Sequence, residues 1–329
     1  MAATSNLTGI AAMSRASTSK NKQPAHGRSE RPAAVGVIGL GIMGSAMSAN
    51  LVKAGFEVFG FDPVAAARKR LRAAGGTPCA SAAEVAERCG RIVLSLPSEK
   101  ALDAVCEEVL SSGVRDRILA ETSTLPETAK LRARDALAGG QLVLLDCPLS
   151  GTGAQAVNRD LAVYASGDAK DIAEFAPVFD GFARVRYDVG AFGNGIRMKL
   201  VANLLVAIHN LSTAEAILLG ERSGLDAAQI VKVVADGAGG SRMFQVRGPM
   251  MVDRSWDQAT MKVAIWQKDM RLIQEALQRT DTPAPLFSAS LPIYNAAMAL
   301  GHGEDDTAAV YSVLEHMIGG PKPKARRKG

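Results

Sequence analysis

Three glycines, at positions 39, 41 and 44, lie between a short apolar run and a segment with helical spacing, and this pattern constrains the fold most. The apolar run, residues 35–38, is typical of a buried strand, and Met47 and Leu51 recur at helical spacing. A second apolar run, residues 57–62, ends in an acid 23 residues after the first glycine. Strand, helix and strand in this order form a βαβ unit, which requires a parallel sheet.

The alternation of apolar runs and helical patterns continues to about residue 193. Strands are predicted at 91–96, 118–121 and 142–146, and helices at 63–74, 82–87, 100–110 and 125–138. A further strand pair at 162–166 and 183–187, with a helix at 169–179, is expected to close the sheet. Repeated βα units with short links predict an α/β fold, with a doubly wound Rossmann sheet over residues 34–194.

The strand pattern stops after residue 195. Residues 196–223 have apolar side chains at nearly every helical spacing, and further helices are predicted at 227–235, 244–251, 260–278, 286–300 and 307–317. The second half, residues 195–318, is therefore predicted to be an all-helical domain joined to the first by a long interdomain helix. A helix that is apolar on most sides must be buried on most sides, which predicts a homodimer or homotetramer through this domain.

The net charge of +5 is concentrated in the two ends of the chain. Residues 1–33 carry a net charge of +4 and residues 319–329 carry +5, which leaves −4 for the body. A pI near 9.1 therefore gives no reason to expect nucleic acid as a partner. Both ends are predicted to be disordered, and the nearly acid-free residues 1–33 leave organelle import open as a minor alternative to a cytoplasmic protein.

Hydropathy and cysteine usage argue against several other classes. No run approaches the roughly 20 uninterrupted apolar residues of a membrane span, so no membrane association is expected. The four cysteines, residues 79, 89, 106 and 147, show no metal-type pairing. We expect reduced thiols, with neither zinc nor disulfides.

The glycine pattern has the spacing G-x-G-x-x-G, which suits a dinucleotide. Gly39 permits a tight turn, Gly41 lets the backbone approach a pyrophosphate, and Gly44 lets the helix pack on the strand. Asp62 is placed to accept hydrogen bonds from the adenosine ribose and to repel a 2′-phosphate, which favours NAD over NADP. Arg68, six residues after Asp62, could weaken the preference for NAD.

Further motifs follow in order, and together they make the chain similar to the β-hydroxyacid dehydrogenases from residue 35 to residue 317. The cofactor signature I-G-L-G-x-M-G is found at residues 38–44, the D-x-P-x-S-G loop at 146–151, and the G-x-x-x-K-x-x-x-N helix at 195–203. The cofactor residues that this resemblance and the glycine motif imply are Gly39, Leu40, Gly41, Ile42, Met43, Gly44, Asp62, Leu96, Pro97, Ser123, Thr124 and Lys268.

The same resemblance assigns the chemistry to a lysine. By its residues alone, Lys199 could simply cover apolar surface with its stem. The resemblance implies instead that Lys199 is the general acid/base, that Asn203 holds the substrate and that Asp269 supports the cleft. A desolvated lysine can have a pKa lowered toward neutrality, as a base requires.

The loop expected to bind the substrate carboxylate departs from the family pattern. Backbone amides of Ser150 and Gly151 suit an anion, but Thr152 stands where the family has a second glycine, and its Cβ is expected to restrict the loop. Either Gly153 takes part through a shift, or the Thr152 hydroxyl adds a contact.

The histidines are other candidates for the base. His209 projects about 80° away from the Lys199 face and is expected to be buried and satisfied. His302 and His316 are expected to have no partner.

The substrate is expected to be a small hydroxy acid that bears a carboxylate. Residues 237–244 and 301–306 resemble the branch that oxidises four-carbon sugar acids such as L-threonate, for which Ser241 and Arg242 would add donors. Alternatives are 3-hydroxyisobutyrate dehydrogenase and 2-hydroxy-3-oxopropionate reductase. An imine-reducing or decarboxylating relative and a non-catalytic binding module are more remote, because the expected lysine is present.

Overall fold

A computed structural model describes residues 33–320 of the chain. The two ends predicted to be disordered therefore lie almost wholly outside the described residues, as does the segment on which organelle import depends.

Six parallel strands form the main sheet, in the order β3-β2-β1-β4-β5-β6. Their bounds are β1 Ala34–Ile38, β2 Glu57–Phe61, β3 Thr77–Pro78, β4 Arg91–Leu94, β5 Ile118–Glu121 and β6 Val143–Asp146. The strand order reverses between β1 and β4, where open α/β sheets bind their ligands at the carboxyl ends of the strands. The predicted Rossmann sheet is confirmed, and β3 is an addition that its two-residue length hid from the sequence pattern.

Helices cover both faces of this sheet. They are α1 Ile42–Lys53, α2 Ala65–Ala73, α3 Ala82–Arg88, α4 Glu99–Ser111 and α5 Glu127–Gly139. Successive residues of β1 alternate between two apolar clusters, with Val37 in the cluster under α1 and Ile38 in the cluster under α3 and α4. This burial on both faces explains why the strands read as continuous apolar runs.

The predicted closure of the main sheet by residues 162–166 and 183–187 is wrong. These residues form a second, three-stranded sheet with the strands β7 Leu149–Ser150, β8 Ala162–Ala165 and β9 Val185–Asp188, together with the helices α6 Gly153–Val157 and α7 Ala169–Phe182. A single bridge between Asp146 and Ser166 links the two sheets. Pro148 has no backbone N–H, so the ladder of β6 cannot continue past it.

The rest of the described chain is helical, as predicted. It comprises α8 Asn194–Arg222, α9 Ala227–Asp236, α10 Arg242–Asp253, α11 Val263–Arg279, α12 Pro285–Ala299 and α13 Val310–Met317, with short 3-10 turns at His302–Glu304 and Thr307–Ala309. A third apolar cluster forms around α8, with Trp266 and Tyr294 among its buried members.

The long helix α8 is less covered than its sequence suggests. Met198, Val201 and Leu205 are 42%, 59% and 47% exposed, and they lie on one face at spacings of three and four residues. An 18-residue window of this helix has a mean hydropathy of 1.4, enough by length and composition to span a membrane. Core helices of soluble proteins pass the same test, so this observation does not point to a membrane by itself.

Candidate active site

The glycine loop between β1 and α1 has no room for side chains at two of its three glycines. Gly39 has a φ of +90°, and a Cβ there would lie 2.1 Å from the carbonyl oxygen of Ser95. A Cβ on Gly44 would lie 1.9 Å from the carbonyl oxygen of Gly39. By contrast, a Cβ on Gly41 would meet no atom within 4 Å. The turn and the helix packing therefore require glycine, and the space above Gly41 is open.

The N-terminus of α1 faces this open space. Gly41 is the N-cap of the helix, no side chain caps it, and no acid lies in its first turn. The first N–H groups of a helix then carry a partial positive charge with no local partner. Such an end fits the pyrophosphate of a dinucleotide, for which Ile42 and Met43 would supply backbone donors.

Asp62, just after β2, lies against the same loop. Its carboxylate accepts hydrogen bonds from the backbone N–H of Leu40 at 2.8 Å and of Val64 at 2.8 Å. The Arg68 guanidinium donates to the carbonyl oxygens of Asp62 and Pro63. The acid is thus oriented by the glycine loop, and the arginine is engaged with backbone.

The residues that follow β5, Ser123 and Thr124 among them, meet the segment after β4 and the helical region. The Ser123 hydroxyl accepts a hydrogen bond from the Leu96 N–H at 2.7 Å, and the Lys268 ammonium donates to the Thr124 carbonyl oxygen at 2.7 Å. Pro97 is exposed next to Leu96. The structure therefore brings these predicted cofactor residues together, with Lys268 reaching them from α11.

A cleft of about 530 Å³ gathers the residues predicted for the substrate. Ser150, Gly151 and Thr152 line it from the second sheet, and Lys199 and Asn203 line it from α8. Arg242, which the sequence pattern had indicated, also lines the cleft. The lining residues that the sequence pattern did not indicate are Gln155, Asp160, Ala162, Arg184, Ala202, Val206, Met243, Arg247, Met261, Trp266 and Thr307. Most of them come from remote parts of the chain and have no local motif.

Lys199 lines the cleft, whereas Asp269 is buried, does not line it and acts on Lys199 through its charge. Desolvation lowers the pKa of Lys199, although the negative charge of Asp269 acts to raise it. Burial raises the pKa of Asp269, although Lys268 and Lys199 oppose the shift. Asp269 accepts a hydrogen bond from the Asn203 side-chain amide at 3.0 Å and lies 3.7 Å from the Lys268 ammonium. Asp269 thereby holds Asn203, one turn from Lys199, in place.

Thr152 fits the loop without backbone strain. Its φ of −93° and ψ of 171° are extended, and the unusual conformation falls on Gly151, with a φ of +138°. Thr152 caps α6: its hydroxyl accepts the Gln155 N–H, and the Gln155 side chain accepts the Thr152 N–H at 3.0 Å. The side chain that departs from the family pattern therefore starts a short helix that the sequence pattern did not reveal.

A buried lysine that sequence reasoning missed joins the loops of the site. The Lys130 ammonium lies 2.7 Å from Glu121 and 2.6 Å from Asp146, and all three side chains are 0% exposed. Glu121 accepts the Ser123 N–H at 2.8 Å, and Asp146 accepts the Ile196 N–H at 2.8 Å. Acids at the ends of two adjacent parallel strands were the available signal, because buried carboxylates require a counter-charge.

Two expectations about histidine are wrong. His209 is half-buried rather than buried. His302 has partners: its Nδ1 lies 2.7 Å from Asp305 and its Nε2 lies 3.1 Å from the Ser312 hydroxyl. Neither histidine lines the cleft.

Within residues 33–320 no cluster of three or more His, Cys, Asp or Glu could hold a metal ion. The four cysteines are buried and free.

Comparison with known proteins matches both halves of the chain. The model of the NAD-binding domain of 6-phosphogluconate dehydrogenase matches residues 34–193, and that of the NAD-binding region of NADP-dependent 3-hydroxyisobutyrate dehydrogenase matches residues 193–314. An L-threonate dehydrogenase of Cupriavidus necator is 30% identical over 85% of this chain and 95% of its own. The chain belongs to the β-hydroxyacid dehydrogenase family.

Other members of the family are equally similar. Glyoxylate/succinic semialdehyde reductase 1 of Arabidopsis thaliana is 30% identical over 85% of this chain and 98% of its own. The structure of Mycobacterium tuberculosis 3-hydroxyisobutyrate dehydrogenase with L-serine superposes with a TM-score of 0.78, at 28% identity over 86% of this chain and 99% of its own. This β-hydroxyacid dehydrogenase is therefore an enzyme of the NAD(P)-dependent class, and its dinucleotide is a nicotinamide cofactor.

Proposed function

We propose that this β-hydroxyacid dehydrogenase oxidises a four-carbon sugar acid such as L-threonate with NAD. The observation that carries the proposal is the cleft itself, which Lys199 lines together with the loop residues Ser150 and Gly151 and with Arg242.

The chemistry follows from the surroundings of Lys199. A bound nicotinamide supplies the hydride acceptor. Because desolvation lowers the pKa of Lys199, a larger fraction of its amine is neutral and can take the hydroxyl proton of the substrate. In the reverse direction the ammonium returns that proton to the carbonyl oxygen. Asn203 positions the substrate and is itself held by Asp269.

The charge of the cleft supports an anionic substrate. Among its described lining residues, Arg184, Lys199, Arg242 and Arg247 are basic, and Asp160 is acidic. Arg242 adds donors that a polyhydroxylated acid can use. Ser241 does not line the cleft, because it caps α10 by accepting the Phe244 N–H at 3.0 Å. The proposed preference for a sugar acid over 3-hydroxyisobutyrate or 2-hydroxy-3-oxopropionate therefore depends on Arg242 and not on Ser241.

The preference for NAD is based on Asp62. Its carboxylate is oriented by two backbone N–H groups near the open N-terminus of α1. A 2′-phosphate on the ribose would meet this charge, whereas the two hydroxyls of NAD can donate to it.

Assembly and organisation form part of the same proposal. The exposed apolar face of α8, made of Met198, Val201 and Leu205, suits burial in a homodimer or homotetramer.

The two family models meet at residue 193, which supports a division into a cofactor-binding domain at 34–194 and a helical domain at 195–318. A small-molecule enzyme of this family is expected in the cytoplasm.

The decisive experiment replaces Lys199 with alanine and measures oxidation of L-threonate, 3-hydroxyisobutyrate and related C3 to C6 acids. Loss of a positioned proton-transfer group should lower kcat by about 10² to 10⁴ while the cofactor still binds. Lys170→Ala, on an exposed turn of α7, is the matched control and should leave kcat unchanged. Near-parental turnover by a folded Lys199→Ala enzyme would refute the mechanism. Faster turnover of 3-hydroxyisobutyrate than of L-threonate by the unaltered enzyme would refute the substrate.

A further inference from the structure

A buried arginine of α10 lines the cleft and has an unused donor. Arg247 is 2% exposed; its Nε forms an ion pair with Asp306 at 2.8 Å and donates a hydrogen bond to the Thr307 hydroxyl at 3.1 Å. Its Nη1 is buried and has no hydrogen-bond partner among the described residues. A buried donor left without a partner is costly, which makes a ligand oxygen or an ordered water its expected partner.

The residues of α8 that line the cleft show where Arg247 lies along it. Lys199, Asn203 and Val206 line the cleft from one face of this helix. Val206 lies about 10 Å further along the helix axis than Lys199, at 1.5 Å per residue. One turn beyond, the Asn210 amide donates at 3.0 Å to the Thr307 hydroxyl, which also accepts from Arg247. Arg247 therefore lies toward the end of the cleft away from Lys199.

Arg247 is also held rigidly. Its partner Asp306 is 0% exposed and accepts hydrogen bonds from the Thr260 N–H at 2.8 Å and the Met261 N–H at 3.0 Å. Met243, Met261 and Trp266 form apolar walls of the same cleft. A fixed guanidinium among apolar walls discriminates strongly, because a substrate that lacks the matching oxygen leaves the donor unpaired.

We infer that Arg247 is a specificity-determining residue that donates, through Nη1, to a hydroxyl on the substrate carbon farthest from the carboxylate. This inference depends on the proposed function, since it deepens the choice of a polyhydroxylated acid. Apart from its carboxylate, 3-hydroxyisobutyrate carries no oxygen besides the reacting hydroxyl, and it has a methyl branch, so it would leave Nη1 of Arg247 unpaired.

The test compares L-threonate with its 4-deoxy analogue, which lacks only the terminal hydroxyl. For the unaltered enzyme, kcat/KM should be about 10- to 100-fold higher for L-threonate, as expected for one hydrogen bond to a charged group. Arg247→Lys keeps the positive charge beside Asp306 but loses Nη1, so the ratio should fall to about one. A merely structural role would lower kcat/KM for both acids equally and leave the ratio unchanged.

Arg254→Lys is the matched control, because Arg254 ends the same helix and pairs with Glu315 away from the cleft. It should leave the ratio unchanged. Equal kcat/KM for the two acids with the unaltered enzyme would overturn the role of Arg247, whether or not the Arg247→Lys chain folds, and would leave an ordered water as the partner of Nη1. If the unaltered enzyme oxidises neither acid but oxidises another hydroxy acid, the proposed substrate fails instead.

Discussion

Replacing Lys130 with methionine tests how the loops of the site are held together. The substitution keeps an unbranched side chain only one atom shorter, but removes the charge shared by Glu121 and Asp146. Burial alone would lower the pKa of Lys130, yet the charges of Asp146 and Glu121 raise it, so the lysine is firmly charged in the native protein. Both carboxylates are 0% exposed and would remain buried without a counter-charge.

The magnitude follows from this geometry. Removing one partner of a buried ion pair costs about 3 to 5 kcal/mol, because the remaining charge has neither solvent nor a counter-charge. Here two carboxylates lose their only shared cation among the described residues, so the loss should reach the upper part of that range. In a chain of this size, each kcal/mol lost from the free energy of unfolding lowers Tm by about 2 to 4 °C, so Tm should fall by about 8 to 20 °C.

The assay is urea unfolding followed by circular dichroism, with Lys100→Met on the exposed side of α4 as control. The control should stay within about 0.5 kcal/mol of the unaltered enzyme. Adding Glu121→Gln to Lys130→Met should recover part of the loss, because it removes one uncompensated charge. A loss below about 1 kcal/mol for Lys130→Met would show that the ion pairs contribute little and that the reasoning is wrong.

Three further outcomes are expected. The rate of oxidation should rise with pH through a group that titrates below the ordinary lysine value of 10.5. The reason is that burial lowers the pKa of Lys199 and only its neutral form accepts a proton. A kcat/KM profile that is flat up to pH 10 would contradict this. NAD should give a higher kcat/KM than NADP, and Asp62→Ala should narrow the difference; equal turnover by the unaltered enzyme would mean that Asp62 does not face the ribose. Light scattering at micromolar concentration should show a dimer or tetramer that Leu205→Glu dissociates, and a monomeric parent would refute the α8 interface.

Local patterns were enough for the elements that position the cofactor. The strand, the glycine turn and helix α1 follow from apolar periodicity and from positions that tolerate only glycine, and these are properties of neighbouring residues. Helix α8 was also predictable, within about two residues at each end, because its apolar spacing continues without a breaker. The resemblance to the family then located Lys199, Asn203 and the substrate loop.

The second sheet was not predictable in this way. Residues 162–165 have the pattern of a strand, but the pattern does not say which strand they pair with. Pro148 ends the ladder of β6, and within residues 33–320 the Asp146–Ser166 bridge then pairs the two sheets. The capping of α6 by Thr152 was hidden for a related reason, because a five-residue helix is too short to show a period.

The sequence by itself therefore determined most of the order of the elements and the glycine loop, and its resemblance to the family indicated Lys199 as the proposed proton-transfer residue. Only the tertiary structure decided which charges meet in the interior. Lys130 pairs with an acid 16 residues away, and Arg247 bonds to a hydroxyl 60 residues away. Acids at strand ends indicate that a counter-charge is needed but not which residue supplies it, because a buried charge is stabilised by whichever partner the packing of distant elements brings within reach.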